Sequence, residues 1–194
     1  MHIDWQDYHE LKILKKRLEE NYEPLAYIGG GGCSRVFKFK DRQLDRLCAI
    51  KVLDLQKLEK DSKEIGVEIK KRFIKEAGAY QKCIHPNIVS IYNVDGNETC
   101  PCIIMEFIEG KNLDKLISEK TTLTLTEILE ISTEVLPALQ YMHSINLVHR
   151  DLKPANIMID EKKRRTVLID FGIIKDFNSP GFTTTDIYMG SSYY

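Results

Sequence analysis

His149-Arg150-Asp151-Leu152-Lys153-Pro154-Ala155-Asn156 is the stretch of this chain that most constrains its fold and chemistry. Within one loop it places a carboxylate, Asp151, that can accept a hydroxyl proton, and a cation, Lys153, that can neutralise a transferring phosphoryl group. Asn156 can hold a metal ion through its carbonyl oxygen. Asp170-Phe171-Gly172 follows an apolar run, and the Asp170 carboxylate is a hard oxygen ligand suited to magnesium. Each residue alone has ordinary explanations, but their order and spacing together predict a phosphoryl-transfer site.

A run of glycines, Gly29-Gly30-Gly31-Gly32, lies between two stretches that have the pattern of strands. Glycines have no Cβ, so backbone N–H groups can closely approach phosphate oxygens. No Gly-Lys-Ser/Thr follows, which excludes a P-loop, and the chain continues as a strand, which excludes a dinucleotide-binding fingerprint. The run is therefore either a flexible turn or the tip of a hairpin that covers a nucleotide.

Lys51 stands inside the apolar run at residues 47–53. A lysine that points inward needs a partner, but the alternation of a strand equally allows this side chain to face solvent. Glu76, on a long charged helix predicted over residues 62–83, is the natural counter-charge. An isolated glutamate on such a helix is more often simply solvated, so the residues alone leave both alternatives open.

The composition is that of an ordinary globular protein. The 194 residues are 43% hydrophobic and 29% charged, with a formal net charge of -1, which gives no reason to expect nucleic acid or an anionic membrane as partner. The N-terminus lacks the pattern of a signal peptide, and no apolar run approaches the roughly 20 residues of a transmembrane helix. We therefore expect a soluble, cytoplasmic protein.

The cysteines are scattered without regular spacing, which argues against a disulfide framework. Cys100 and Cys102 are the one close pair, and no second pair or histidine cluster completes a four-ligand zinc site. Reduced thiols in a cytosolic compartment are the expectation.

The first half of the chain is predicted to form a sheet with helices. Apolar residues recur at intervals of three and four over residues 4–20, which predicts an amphipathic helix that packs on its own domain in preference to a partner. Strand-like runs at 25–28, 36–40, 47–53, 88–94 and 102–108 predict a five-stranded antiparallel sheet. The long helix over 62–83 is expected to bury one face, formed by Ile65, Ile69, Phe73 and Ala77.

The second half is predicted to be mainly helical. Thr124-Leu125-Thr126-Glu127 has the spacing of a capping box and is expected to open a helix. Pro137 lies inside that helix, where it costs about 3 kcal/mol unless a kink absorbs it. Short strands are expected around 157–159 and 167–169. The residues expected to face inward from the helix are Ile128, Leu129, Ile131, Val135, Leu136, Leu139 and Met142.

Taken in order, these motifs resemble the catalytic domain of eukaryotic-type Ser/Thr protein kinases, a class that is also widespread in bacteria. The resemblance runs from about Tyr22 to Tyr194, and residues 85–89 match the turn that follows the long helix in the family. It implies an α+β, two-lobed fold. An N-terminal helix over 1–21 would precede an N-lobe over 22–107, with a five-stranded antiparallel sheet and one long helix. A partial, mainly helical C-lobe over 108–194 would hold the catalytic loop and activation segment. Relatives continue beyond the position of Tyr194 into further helices, so this C-lobe is expected to be incomplete.

The resemblance also assigns roles to single residues. Lys51 would contact the α/β-phosphates of ATP and pair with Glu76, and Asn156 and Asp170 would hold Mg²⁺. Asp151 would act on the acceptor hydroxyl, with Lys153 beside it. The remaining ATP contacts would be Gly29, Gly31 and Val36 over the phosphates and adenine, Ala49 and Met158 on opposite sides of the ring, Met105 at the back of the pocket, and backbone groups of Glu106 and Ile108 at the adenine edge.

The activation segment carries the remaining expectations. Arg150 before Asp151 is the arrangement that, in relatives, lets a phosphorylated loop dock on the arginine. Candidate phosphosites are Ser179, Thr183, Thr184 and Thr185, which an activating kinase or autophosphorylation in trans would modify. Ser191 falls where the family usually has threonine. Two small departures are Ser34 in the place of a third glycine and Cys33 at the loop tip.

Two functions of different classes follow from these observations. The preferred one is transfer of a phosphoryl group from Mg-ATP to Ser/Thr hydroxyls of a protein substrate, because every catalytic residue type is present. The alternative is a truncated, catalytically inactive nucleotide-binding module with a regulatory or interaction role, which the absent C-terminal helices favour. Kinase activity toward a small molecule is a weaker third option.

Overall fold

The computed structural model describes residues 5–31, 33–59, 63–120 and 122–170, and these fold as two units. The first unit comprises the chain up to Gln81 together with Ile91–Phe107. The second comprises Lys82–Ser90 together with the chain from Ile108 onward. The predicted α+β class, with a five-stranded antiparallel sheet and helices, is confirmed. No helix within the described ranges is long and apolar enough to cross a lipid bilayer.

The first unit is built on a sheet with strand order β1-β2-β3-β5-β4, in which neighbouring strands are antiparallel. Its strands are β1 (Tyr22–Gly31), β2 (Ser34–Asp41), β3 (Arg46–Leu53), β4 (Ile91–Asp95) and β5 (Cys102–Glu106). Its helices are α1 (His9–Leu18), which follows a 3-10 turn at Trp5–Asp7, α2 (Leu55–Glu59) and α3 (Lys63–Tyr80).

Helix α1 covers one face of this sheet. Leu11 and Leu14 are fully buried against Phe37, Phe39 and Ile50, which alternate along β2 and β3. Full burial of a leucine or phenylalanine side chain contributes about 1.5–3 kcal/mol. The apolar stripe of α1 therefore packs within its own unit, as its spacing led us to expect.

The second unit has a small antiparallel sheet and two longer helices. The sheet order is β6-β7-β8, formed by β6 (Gly110–Asn112), β7 (Ile157–Asp160) and β8 (Arg165–Leu168). The helices are α4 (Leu113–Lys120) and α5 (Leu125–Ser144), and a 3-10 turn covers Pro154–Asn156. The predicted capping box opens α5: the Thr124 hydroxyl accepts from the Glu127 N–H at 3.2 Å, and the Glu127 carboxylate accepts from the Thr124 N–H at 2.9 Å.

The predicted inward face of α5 is only partly correct. Val135 and Met142 are buried, but Ile128, Leu129 and Leu136 are exposed, Leu136 by 63%. Successive residues of a helix lie about 100° apart, so the stripe that holds Leu129 and Leu136 is rotated away from the stripe of Val135 and Met142. The second unit covers the latter stripe only from Val135 onward, since Ile128, seven residues earlier on that stripe, is exposed.

Two further predictions in the first half need correction. Ile65 is exposed although Ile69 and Ala77 are buried, because the buried stripe of α3 passes through Gly66 in the first turn, and Ile65 lies about 100° around the helix from Gly66. The strand predicted over 88–94 begins only at Ile91. The preceding Val89 instead donates its N–H to the Leu168 carbonyl at 2.9 Å, so this segment joins the second unit.

Candidate active site

One face of the five-stranded sheet carries nucleotide-binding residues predicted for the first unit. Gly29 of β1 lies opposite Val36 of β2, and Val36 lies opposite Lys51 of β3. Ala49, two residues before Lys51, lies opposite Met105 of β5. Opposed residues of antiparallel strands share a face, as do residues two apart on one strand, so all five lie on the same face. Helix α1 packs on the other face, which leaves the five on the side of the sheet opposite α1.

The glycines of the β1–β2 hairpin differ in what requires them. A Cβ at Gly30 would lie 2.7 Å from the carbonyl oxygen of Ser34 and 2.9 Å from the hydroxyl of Tyr27, so internal packing requires a glycine there. A Cβ at Gly29 or Gly31 would meet no atom of the described chain within 4 Å. Glycine at these two positions therefore fits the close approach of an outside group such as a phosphate. The run is a hairpin and not a flexible turn, since β1 continues to Gly31.

Lys51 is buried, with only 9% of its surface exposed, so the choice left open by strand alternation is decided in favour of the inward orientation. Glu76 lies on α3, where one carboxylate oxygen is 2.9 Å from the Nε of Arg72, one turn earlier. The expected ion pair between Lys51 and Glu76 stays a prediction.

The other residues predicted to contact adenine lie at the end of β5 and in the second unit. Glu106 is the last residue of β5 and is buried. Ile108 is also buried. Met158 is half-buried in β7, opposite Asn112 of β6 and Val167 of β8. Their contacts with a nucleotide stay predictions.

A network of hydrogen bonds in the second unit holds the side chain of Asp151. The Nδ2 of Asn156 donates to Oδ2 of Asp151 at 2.7 Å and to the Asp151 carbonyl at 2.8 Å. The Nζ of Lys153 lies 3.2 Å from the same Oδ2. Asp151 is only 4% exposed, so the ion pair and the charge-assisted bond act on a carboxylate that is largely removed from water. The structure thus brings together three of the residues predicted from the loop motif.

The orientation of Asn156 suits a metal ligand. Its Nδ2 faces three acceptors, the two oxygens of Asp151 and, at 3.4 Å, the carbonyl of Asp170. The other side-chain atom, Oδ1, is therefore the one that can accept a cation. Oδ1 and the Asp170 carboxylate are hard oxygen donors of the kind that Mg²⁺ prefers, so this donor set fits the predicted ion. In the described ranges, no group of three or more His, Cys, Asp or Glu side chains could hold a metal. Two protein ligands plus phosphate and water oxygens form a typical magnesium environment.

His149 connects the catalytic loop to the strand before Asp170. Its Nε2 lies 3.1 Å from the carbonyl oxygen of Ile169, and because that oxygen only accepts, Nε2 carries the hydrogen. Burial lowers the pKa of His149, which favours the neutral ring. The N–H of Ile169 in turn donates to the Asn156 carbonyl at 2.9 Å. No role is predicted for His149 from the sequence, and the one sequence feature that points to such a role is its position as the first residue of the loop motif.

Two residues of this region adopt left-handed backbone conformations. Arg150 has a φ of 63° and Asp170 a φ of 54°, a region that residues other than glycine adopt infrequently. Such conformations persist where the surroundings determine them, and here the bonds of His149 and Asn156 hold the neighbouring backbone.

Part of the predicted site lies outside the described residues. Phe171, Gly172 and Ser191 belong to this part, as do the candidate phosphosites from Ser179 to Thr185. The expectations for them stay predictions.

Comparison with known proteins decides the family. The family model described as protein kinase domain matches residues 22–194. The chain belongs to this family. A probable serine/threonine-protein kinase of Clostridium perfringens is 37% identical over 182 residues, which cover 94% of this chain and 26% of that protein. The serine/threonine-protein kinase PrkC of Bacillus subtilis is 36% identical over 182 residues, covering 94% and 27%. A probable serine/threonine-protein kinase, PknB, of Lactococcus lactis is 38% identical over 180 residues, covering 92% and 28%.

The resemblance inferred from the motifs is thereby confirmed. This kinase domain spans about a quarter of the length of the curated relatives it matches. Helix α1 precedes the residues that match the family, so its contacts with the sheet are a feature that the motifs did not predict.

Proposed function

We propose that this kinase domain transfers the γ-phosphoryl group of Mg-ATP to serine or threonine hydroxyls of a protein. The observation that carries the proposal is the buried network in which Asn156 and Lys153 both contact the Oδ2 of Asp151. An acidic group that is held by a lysine and an amide in one loop suits the positioning of a hydroxyl nucleophile.

In the proposed reaction, Asp151 accepts a hydrogen bond from the substrate hydroxyl and takes up its proton. The hydroxyl oxygen forms a bond to the γ-phosphorus while the bond from that phosphorus to the β,γ-bridging oxygen breaks, and ADP leaves with the electron pair. Lys153, beside Asp151, offsets the negative charge of the transferring group. Catalysis of this kind depends mainly on positioning and electrostatics.

The nucleotide would be held by the remaining predicted residues. The backbone at Gly29 and Gly31 would approach the phosphates, and Lys51 would supply a buried positive charge to them. Asn156 and Asp170 would hold Mg²⁺, which when bound supplies charge neutralisation and orientation of the phosphate oxygens.

The substrate class is proposed from two observations. Lys153 two residues after Asp151 resembles the Ser/Thr class, and the relatives reported above are named as serine/threonine kinases. The names of these relatives do not state which protein is the substrate. We propose that the activation segment is phosphorylated either by an activating kinase or by autophosphorylation in trans.

We also propose a cytosolic location, because all five cysteines lie in the described part of the chain and are free thiols.

Phosphate transfer from labelled Mg-ATP to the chain itself and to a generic basic protein tests the proposal. We expect signal in the wild type and its loss in Asp151→Asn and Asp170→Ala. Asp114→Asn, an exposed carboxylate in the first turn of α4, is the matched control and should retain full activity.

The alternative, a nucleotide-binding module without catalysis, predicts a different result. The wild type would then bind Mg-ATP, yet its transfer signal would not exceed that of Asp151→Asn. That outcome would refute the proposed reaction and leave the family assignment in place.

A further inference from the structure

The N-terminal end of helix α1, which comprises its N-cap residue Tyr8 and Glu10 in the first turn, contacts both strands of the glycine hairpin. On the β1 side, the rings of Tyr8 and Tyr27 lie 5.1 Å apart between centroids. On the β2 side, the guanidinium carbon of Arg35 lies 4.7 Å from the centroid of the Tyr8 ring, and one Arg35 nitrogen lies 2.7 Å from a carboxylate oxygen of Glu10. Aromatic pairs and cation–π contacts of this kind stabilise the packing of the two elements that they join.

Tyr27 and Arg35 are the residues that support the glycine loop from behind. The Tyr27 hydroxyl lies against Gly30, at 2.9 Å from the position a Cβ would occupy there. Arg35 is directly opposite Gly30 in the register of β1 and β2. Gly30 therefore packs against Tyr27 and is paired with Arg35, and both of these residues contact the N-terminal end of α1.

A third connection reaches the tip of the loop through Asp54. Its carboxylate lies 2.5 Å from the same Arg35 nitrogen that contacts Glu10, and its backbone N–H donates to the Cys33 carbonyl at 2.8 Å. Cys33 lies between the two strands of the hairpin. Arg35 thus connects α1 with both the stem and the tip of the loop.

Glu10 and Asp54 are both buried and both face one guanidinium. Burial raises the pKa of Glu10. Burial also acts to raise the pKa of Asp54, but hydrogen bonds, chiefly from Arg35 and from the backbone N–H of Lys57, outweigh it, so the pKa of Asp54 is lowered. Asp54 therefore remains to neutralise Arg35 when Glu10 is replaced by a neutral group. A glutamine at position 10 leaves no isolated buried cation, so it should change the orientation of Arg35 without unfolding the unit.

We infer that helix α1 is a positioning element for the glycine-rich loop, and that Glu10 and Tyr8 are positioning residues that act on nucleotide binding through Arg35 and Tyr27. The inference rests on the proposed role of this loop in binding ATP. It adds to the kinase domain an element that lies before the residues that match the family.

Equilibrium binding of Mg-ATP to the full chain, measured by titration calorimetry, tests the inference without requiring catalysis. Glu10→Gln should weaken the affinity about fivefold to tenfold, less than the full loss of a charge-assisted contact, because Asp54 still holds Arg35 and the effect on the nucleotide is indirect. In the transfer assay the KM for ATP should rise by the same factor, while kcat stays within about twofold, since Asp151 and its partners are untouched. Glu19→Gln, at the exposed C-terminal end of the same helix, is the matched control and should change neither quantity.

Tyr27→Phe is the second variant, because it removes only the hydroxyl that lies against Gly30 and keeps the ring beside Tyr8. It should also weaken Mg-ATP binding, and it tests the inference even if Glu10→Gln does not fold. Equal affinities for the wild type and the folded variants would overturn the inference alone. A wild type that binds but does not transfer phosphate would refute only the proposed reaction, because the affinities still decide the role of α1. A wild type that binds no Mg-ATP would overturn both.

Discussion

Replacing Asn156 with aspartate is expected to destabilise the second unit even in the absence of magnesium and nucleotide. In the wild type, Nδ2 of Asn156 donates to the Asp151 carboxylate at 2.7 Å and to the Asp151 carbonyl at 2.8 Å. Asn156→Asp replaces this donor by a negatively charged acceptor of nearly the same shape. Carboxylate oxygens of the two side chains would then face each other, with no donor N–H between them, in a site that is largely removed from water.

The magnitude follows from the contacts that are lost. A hydrogen bond to a charged group contributes about 1.5–3 kcal/mol, and a neutral one about 1 kcal/mol. Carboxylate repulsion adds to this loss, while local rearrangement reduces it, so we expect a decrease of about 3–4 kcal/mol in the free energy of unfolding. For a chain of this size, 1 kcal/mol corresponds to about 2–4 °C in Tm, which gives a decrease of about 6–16 °C.

Differential scanning calorimetry in the presence of a chelator measures this effect without any metal. Asn156→Ala, which removes the donor without adding charge, should destabilise less than Asn156→Asp. Asn93→Asp, at an exposed position of β4, should leave Tm unchanged. An Asn156→Asp protein as stable as the wild type without magnesium would refute the argument that Asn156 holds Asp151.

Three other predictions concern separate parts of the molecule. Leu14→Ala, at a fully buried position of α1, should reduce the free energy of unfolding by about 2–5 kcal/mol in a urea titration, whereas Leu44→Ala, which is 63% exposed, should change it by less than about 0.5 kcal/mol. Equal effects would contradict the described packing of α1. Hydrogen bonds from a neighbouring lysine and from the helix N-cap lower the pKa of Glu127 to about 2, so its stabilising charge is fully present above its usual value of 4.5 and is lost as pH falls from there. The Tm difference between wild type and Glu127→Gln should therefore be largest at neutral pH and vanish near pH 2, and a constant difference would contradict the capping role. Gly30→Ala should lower Tm, because its Cβ would clash with a carbonyl oxygen of the facing strand. Gly29→Ala should preserve Tm and raise the KM for ATP, and the reverse pattern would refute our assignment of the two glycines.

Much of the fold could be predicted from the sequence because local patterns dominate it. The alternation of β2, the apolar run of β3, the capping box at Thr124 and the amphipathic spacing of α1 each depend on residues close together in the chain. The errors have a common origin. Leu136 is apolar and in a helical pattern, but whether it is buried depends on what packs against that side of α5, and helical spacing alone carries no information about this.

The candidate site also has features that the sequence predicts and features that only the folded structure decides. The order and spacing of Asp151, Asn156 and Asp170 predict phosphoryl transfer, because few other reactions need these residue types so close along one chain. Folding decided the orientation of Lys51, since periodicity allowed it to face either way and only burial of that face of β3 excludes solvent. The hydrogen bonds that hold Asp151 also required the structure.

The sequence by itself determined the family, because this depends on residue type and spacing along the chain, and the same spacing predicts the catalytic residues. Only the tertiary structure decided that Glu10 of α1 contacts Arg35 beside the glycine loop, and that Asp54 contacts the same guanidinium. These contacts join residues from separate elements, and their geometry depends on how α1 packs on the sheet. Ion pairs between residues far apart in the chain leave no periodicity or motif in the sequence, because their free energy depends on burial and charge in the folded protein.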